Sequence, residues 1–149
     1  MIEIEIEVDK PLRDVYAAFN HPDNLPRWIE GLQRTELISG EAGTVGAKTR
    51  QVYLERGRIV EMIETITAHE PEEHMSGTLE GPGVHATMEV NFVDRGDRTG
   101  IRFRSNFQGK SIMMWLMLPF IKGAMKKRSC GDLETFKRMV ESGELGANA

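Results

Sequence analysis

The chain has 149 residues, long enough to bury a full hydrophobic core as one domain without staples. Its 40% hydrophobic and 28% charged content is ordinary for a soluble globular protein, and 19 basic against 23 acidic residues leave a net charge of −4, so no overall basic field invites nucleic acid. The single Cys130 excludes an internal disulfide framework and fits a reducing compartment.

The segment from Ile2 to Val8 alternates Ile2, Ile4, Ile6 and Val8 with Glu3, Glu5 and Glu7, a strand with one buried and one wet face. If it lies at a sheet margin, its acidic row discourages edge-to-edge pairing. No basic n-region precedes it, so no signal peptide is expected. Asp9 is a candidate cap for a first helix, with Pro11 near its first turn and Leu12, Val15, Tyr16 and Phe19 as its buried stripe. A turn and a second short helix follow over residues 21–29, anchored by Trp28. From Arg34 to Gln108 the period is two, broken by turn residues, as in an antiparallel meander. The expected strands are 34–39, 46–54, 58–68, 73–80, 84–93 and 98–107. On the last two, Val84, Ala86, Met88, Val90 and Phe92, then Ile101, Phe103, Ser105 and Phe107, face inward.

The C-terminal third, Lys110 to Glu141, opens with an apolar run, Ile112 to Ile121, well short of the ~20 residues that cross a bilayer. With no span and no leader expected, the predicted location is cytoplasmic, without stable membrane insertion. Leu118, Ile121, Met125, Ser129, Leu133, Phe136 and Val140 then form one helical stripe. Pro119 is awkward inside a helix, so the helix is expected to start near it or bend there. Residues 143–149 are expected to fray.

The order is therefore β-α-α-β-β-β-β-β-β-α. Seven strands at ~4.8 Å spacing span roughly 29 Å, whereas one helix is about 10–12 Å across. The sheet must curl around the helix, and the space between them is either packed solid or left as a cavity. The expected fold is α+β: a curved seven-stranded antiparallel sheet around a long C-terminal helix, with two short helices after strand 1, in a single domain.

The stretch His21-Pro-Asp-Asn-Leu-Pro-Arg-Trp-Ile-Glu-Gly-Leu32 resembles the START-like, or SRPBCC, superfamily, and more narrowly its polyketide cyclase/dehydrase-related branch. The resemblance continues through residues 43–50, 64–71 and 133–141, so it spans essentially the whole chain. It implies the helix-grip fold and a cavity for a hydrophobic ligand such as a lipid or polyketide. The family has no invariant catalytic set to carry over, so the resemblance assigns no catalytic residue.

On strand 46–54, Thr49, Gln51 and Tyr53 share the face opposite Lys48 and Arg50. If that face is inward, its polar groups need partners, from one another, from water or from a substrate. The next strand has two registers. A two-residue turn at Arg56-Gly57 turns Met62 and Glu64 inward, and a three-residue turn turns Glu61 and Ile63 inward. An inward carboxylate has its pKa raised by burial and is a candidate general acid or base, with Tyr53 beside it.

The Met-rich run is either plain core or the adaptable wall of a cavity, with Trp115, Met117 and Phe120 at its mouth. The expected ligand-contacting set is Thr49, Gln51, Tyr53, Met88, Val90, Phe92, Phe103, Ser105, Trp115, Met117 and Phe120. Lys122, Lys126, Lys127 and Arg128 make either a solvated helix face or a contact with an anionic membrane. His21, His69, His74 and His85 match no metal-ligand spacing, so neither metal nor cofactor is expected. There is no G-x-S-x-G. Three functions follow: a binder or carrier of a small hydrophobic or amphipathic molecule, a cyclase or dehydratase using Glu61 or Glu64 with Tyr53, and an interaction module with a self-filled cavity. Oligomeric state is left open.

Overall fold

A computed structural model describes residues 1–109 and 111–145, apart from the side chains of Met114, Trp115 and Leu118. The elements are β1 (Ile2–Val8), α1 (Leu12–Asn20), a 3-10 turn (Pro22–Asn24), α2 (Leu25–Trp28), β2 (Leu32–Ser39), β3 (Lys48–Glu55), β4 (Arg58–Glu70), β5 (His74–Gly81), β6 (Val84–Asp94), β7 (Thr99–Gly109) and α3 (Ile112–Glu141). The seven strands form one curved antiparallel sheet in the order β1-β7-β6-β5-β4-β3-β2. This is the helix-grip arrangement that the element order predicts.

β1 lies at the margin, paired only with β7. Its glutamates have a second role there. Glu3 meets Arg104 at 3.4 Å, Glu5 meets Arg102 at 3.4 Å, and Glu7 meets Arg95 at 2.6 Å and Arg98 at 3.0 Å. Glu3–Arg104 and Glu5–Arg102 stand directly opposite one another and favour register, although solvent screening keeps exposed pairs weak.

The main core sits under one end of the sheet. Ile2, Ile4 and Val8 of β1, Val90 and Phe92 of β6 and Ile101 of β7 pack against Val15, Ala18, Trp28, Leu133, Phe136 and Val140. Phe136 is fully buried, its ring 5.0 Å from Trp28 and 5.4 Å from Phe19. The stripe Leu133, Phe136 and Val140 thus does what its spacing implies, and α3 packs over β1 and β7 and against α1 and α2. No residue of β3, β4 or β5 belongs to this core. The helix is too narrow to cover the whole concave face, and the far half of that face is left to other groups.

Three local expectations change. Pro11, not Asp9, is the N-cap of α1, and its carbonyl accepts from the amides of Asp14 and Val15 at 3.1 Å. Asp9 instead turns toward Arg98, 3.6 Å away. The main helix starts at Ile112 and contains Pro119. The roughly 3 kcal/mol cost of an interior proline is borne within a long run of good helix formers. Finally, Gly143 in the left-handed region (φ 85°) closes α3, and the Leu145 amide donates to the Met139 carbonyl at 3.1 Å. Leu145 is buried in the core. Leu145, within the segment expected to fray, is thus packed, and residues 146–149 lie outside the described residues.

Candidate functional site

The half of the concave face outside the main core owes its chemistry to one turn. Arg56 (φ 51°) and Gly57 (φ 79°) both adopt positive φ, the two-residue hairpin geometry that matches strand twist. Tyr53 therefore pairs with Val60, Gln51 with Met62 and Thr49 with Glu64. Paired residues share a face, so Glu64 points inward with Thr49, Gln51 and Tyr53. Glu61 points outward, is exposed, and lies 3.7 Å from Arg50. Of the two candidate carboxylates, only Glu64 is on the inner face.

The inward polar groups partner one another. Tyr53 Oη donates to Gln51 Oε1 at 2.9 Å, and Gln51 Nε2 donates to Glu64 Oε2 at 3.3 Å. Gln51 is buried, while Tyr53 and Glu64 keep part of their surface in solvent. Burial pushes the Glu64 carboxyl above its ordinary value of 4.5, and the Gln51 amide partly offsets this. Burial also holds the Tyr53 phenol well above its ordinary range, with the nearby Glu64 adding to the effect. Both groups are driven toward their neutral, proton-bearing forms.

The floor around this chain is apolar and low. On the inner row of β5, Met75, Gly77, Leu79 and Gly81 pair with Val90, Met88, Ala86 and Val84 of β6. A Cβ on Gly77 would come within 2.7 Å of the Thr65 carbonyl, and one on Gly81 within 3.0 Å of the Met62 methyl. Two glycines here keep the floor free of side chains and let Met62 lie across it. Met88 is partly exposed and adjoins Ser105, whose buried hydroxyl makes no hydrogen bond among the described residues.

Beside Tyr53 stands a charged wall that sequence reasoning missed. The Arg128 guanidinium lies 5.9 Å from the Tyr53 ring centre and pairs with the Glu55 carboxylate and the Glu30 carbonyl. One turn on, Asp132 Oδ1 accepts the Glu30 amide at 3.0 Å. Burial pushes the Asp132 carboxyl up to about 6, partly opposed by that amide and by Arg128. Gly31 (φ 79°) sits where a Cβ would come within 2.9 Å of Arg128 Nη2 and 3.1 Å of Glu55 Oε1. Only glycine lets the chain turn against this pair.

A second contact was also missed. Thr67 is an extra residue in β4, between the pairs Ile66–Gly77 and Ala68–Ser76. The bulge shifts the alternation and turns His69 inward. The His69 Nδ1 faces the Gly43 carbonyl, which can only accept, so Nδ1 carries a proton. On the other side of the ring, Nε2 lies 2.7 Å from the Tyr16 hydroxyl, within hydrogen-bond distance. This contact ties α1 to β4.

The remaining expected contacts fall elsewhere. Val90 and Phe92 are buried in the main core, and Phe103 packs against it, because α1 and α3 cover that end of the sheet. Met117 and Phe120 are exposed, Phe120 by 76%, on the side of α3 away from Leu133 and Phe136. The Trp115 side chain lies outside the described residues. Two open surface depressions of about 490 and 310 Å³ flank the C-terminal part of α3 among Glu7, Arg98, Lys137 and Glu141 and their neighbours. They are charged, shallow and separate from the inner face. Among the described residues, no group of three His, Cys, Asp or Glu is placed to hold a metal, and no helix is long and apolar enough to cross a membrane.

Comparison with known proteins agrees with this architecture. The family model described as "Polyketide cyclase / dehydrase and lipid transport" matches residues 1–141. No curated protein matches the sequence. The Zhui aromatase/cyclase from Streptomyces sp. R1128 superposes with a TM-score of 0.79 at 14% identity, over 94% of this chain and 92% of its own. A conserved protein from Geobacillus kaustophilus gives 0.78 at 15% identity, over 94% of both chains. Ara h 8.0201 gives 0.76 at 16% identity, over 94% of this chain and 96% of its own. Likeness at such low identity establishes a shared fold.

Proposed function

Because the chain belongs to the polyketide cyclase/dehydrase and lipid transport family, we propose that it binds a small amphipathic molecule on the inner face of β3 to β6. The observation that carries this reading is the Tyr53–Gln51–Glu64 chain, set on an otherwise apolar floor. A hydroxyl or carbonyl group of the ligand meets Glu64 and Tyr53, and its apolar body lies against Met62, Leu79 and Met88. Thr49 beside Glu64 and the Ser105 hydroxyl, which has no partner among the described residues, offer further polar contacts. Few, well-placed polar groups on an apolar surface fix a ligand's orientation.

Titration with a polycyclic phenol such as 2-naphthol, followed by its fluorescence, tests this reading. Saturable binding is expected. Tyr53→Phe and Glu64→Gln should each weaken it by about 2- to 12-fold, the worth of a hydrogen bond between neutral groups. Glu61→Gln should leave it unchanged. Absence of saturable binding, or equal affinity in all variants, refutes the site and favours an inner face closed by its own side chains.

The raised pKa of Glu64 favours a second reading on the same residues. In a cyclase or dehydratase, a protonated Glu64 beside Tyr53 would donate to a carbonyl oxygen while water or substrate returns the proton. The fold shared with an aromatase/cyclase suits such chemistry. Turnover of a poly-β-ketone probe by the wild type and its loss in Glu64→Gln, with the probe still bound, would support it. Turnover unaffected by Glu64→Gln would remove it.

A further inference from the structure

The N-terminal half of α3 carries a face that the rest of the fold leaves uncovered. Ile112, Leu116 and Phe120 repeat at four-residue steps, and Met113 and Met117 form the adjoining row. All five are exposed, from Met117 at 50% to Ile112 at 81%. They run along more than two turns, about 12 Å of helix. Continuous exposed apolar surface of this kind marks a contact site.

Charge says what the contact is. From Ser111 to Gly131 the only charged side chains are Lys122, Lys126, Lys127 and Arg128, in a chain whose net charge is −4. Arg128 is engaged with Glu55 and Glu30, but Lys126 and Lys127 are exposed. Lys127 falls two turns after Phe120 on the same line, and Lys126 flanks the Ile112–Leu116 row. Between them, Gly123 and Ala124 are exposed, and a Cβ on Gly123 would touch nothing, so the helix backbone there can approach a flat surface. A second copy of the chain would bring the same lysines against one another's patch.

We propose that this face docks the protein on an anionic lipid surface, with Met113, Leu116 and Phe120 entering the headgroup boundary and Lys126 and Lys127 meeting acidic headgroups. An apolar row with a basic flank is the arrangement that lies in the membrane interface without spanning it. The proposal concerns the outer side of α3 and stands apart from ligand binding on the inner face of the sheet.

The test is co-sedimentation of the whole chain with vesicles of phosphatidylcholine alone and of phosphatidylcholine mixed with phosphatidylglycerol. Binding should favour the mixed vesicles and decline with salt. Lys126→Gln/Lys127→Gln should weaken binding to the mixed vesicles by about thirtyfold, from two lysines near a charged surface, with little change on neutral ones. Met113→Ser/Phe120→Ser, at exposed positions, should weaken binding to both by at least about tenfold, as buried apolar area is lost. Ile59→Ser, an exposed apolar residue on β4, serves as the control and should bind like the wild type. Equal binding to the two vesicle types, or variants that bind like the wild type, overturns the proposal. So does a concentration-dependent dimer, seen by sedimentation velocity, that Met113→Ser/Phe120→Ser dissolves while vesicles are ignored, which would assign the face to a second copy.

Discussion

Asp132→Asn should stabilise the protein at neutral pH and not at low pH. The Asp132 carboxyl is raised from 3.8 to about 6, chiefly by burial between α3 and the turn at Glu30. Arg128 stands nearby but is already committed to Glu55 and Glu30. A rise of that size corresponds to about 3 kcal/mol when the group ionises. Asp132 keeps part of its surface in water, so roughly half, ~1.5 kcal/mol, is the figure to expect. A raised folded pKa means the folded state holds its proton more tightly than the unfolded chain. The penalty is therefore absent below 3.8, grows as pH rises, and is complete above about 6. Asparagine keeps an oxygen to accept the Glu30 amide, bonded at 3.0 Å in the wild type, and cannot ionise. Urea unfolding followed by the fluorescence of buried Trp28 should give the variant a stability advantage about 1.5 kcal/mol larger at about pH 7.5 than at about pH 3.5, or roughly 5 °C in melting temperature. An advantage independent of pH, or one larger in acid, refutes the burial argument.

Glu64→Gln should behave in the same direction. The folded-state pKa of Glu64 is raised above 4.5, so its contribution to stability is greatest below that value and is lost as pH rises; the variant's urea midpoint should gain on the wild type above about pH 4.5. Gly31→Ala should destabilise by at least ~1 kcal/mol, because a left-handed residue gains a Cβ that meets Arg128 and Glu55; an unchanged melting temperature would contradict this. Phe136→Ala should cost ~3–5 kcal/mol, since Phe136 is fully buried against Trp28 and Phe19. Phe120→Ala, at an exposed position of the same helix, should cost under ~0.5 kcal/mol; comparable losses in urea titrations would show that Phe120 is covered.

Patterns that repeat within a few residues were legible in the sequence. Alternation from Ile2 to Val8 and along β6 and β7 placed those rows on the correct face, because side-chain direction in a strand depends only on parity. Leu133, Phe136 and Val140 declared the buried stripe of α3 through helical spacing alone, and the order of elements, with the width of a seven-stranded sheet against one helix, implied the grip. The tertiary structure decided whatever hinged on a single residue of register or on distant neighbours. The turn at Arg56-Gly57 chose Glu64 over Glu61, since a shift of one residue reverses every face that follows it. One bulge at Thr67 turned His69 toward Tyr16, and the chain's return brought Arg128 and Asp132 beside Tyr53 and Glu30. Apolar composition marked residues 112–121 as needing cover, but cover is a property of neighbours. The fold packs the Leu133–Phe136–Val140 side of α3 and leaves Ile112, Leu116 and Phe120 exposed, because a slender helix can press only one of its sides into a sheet.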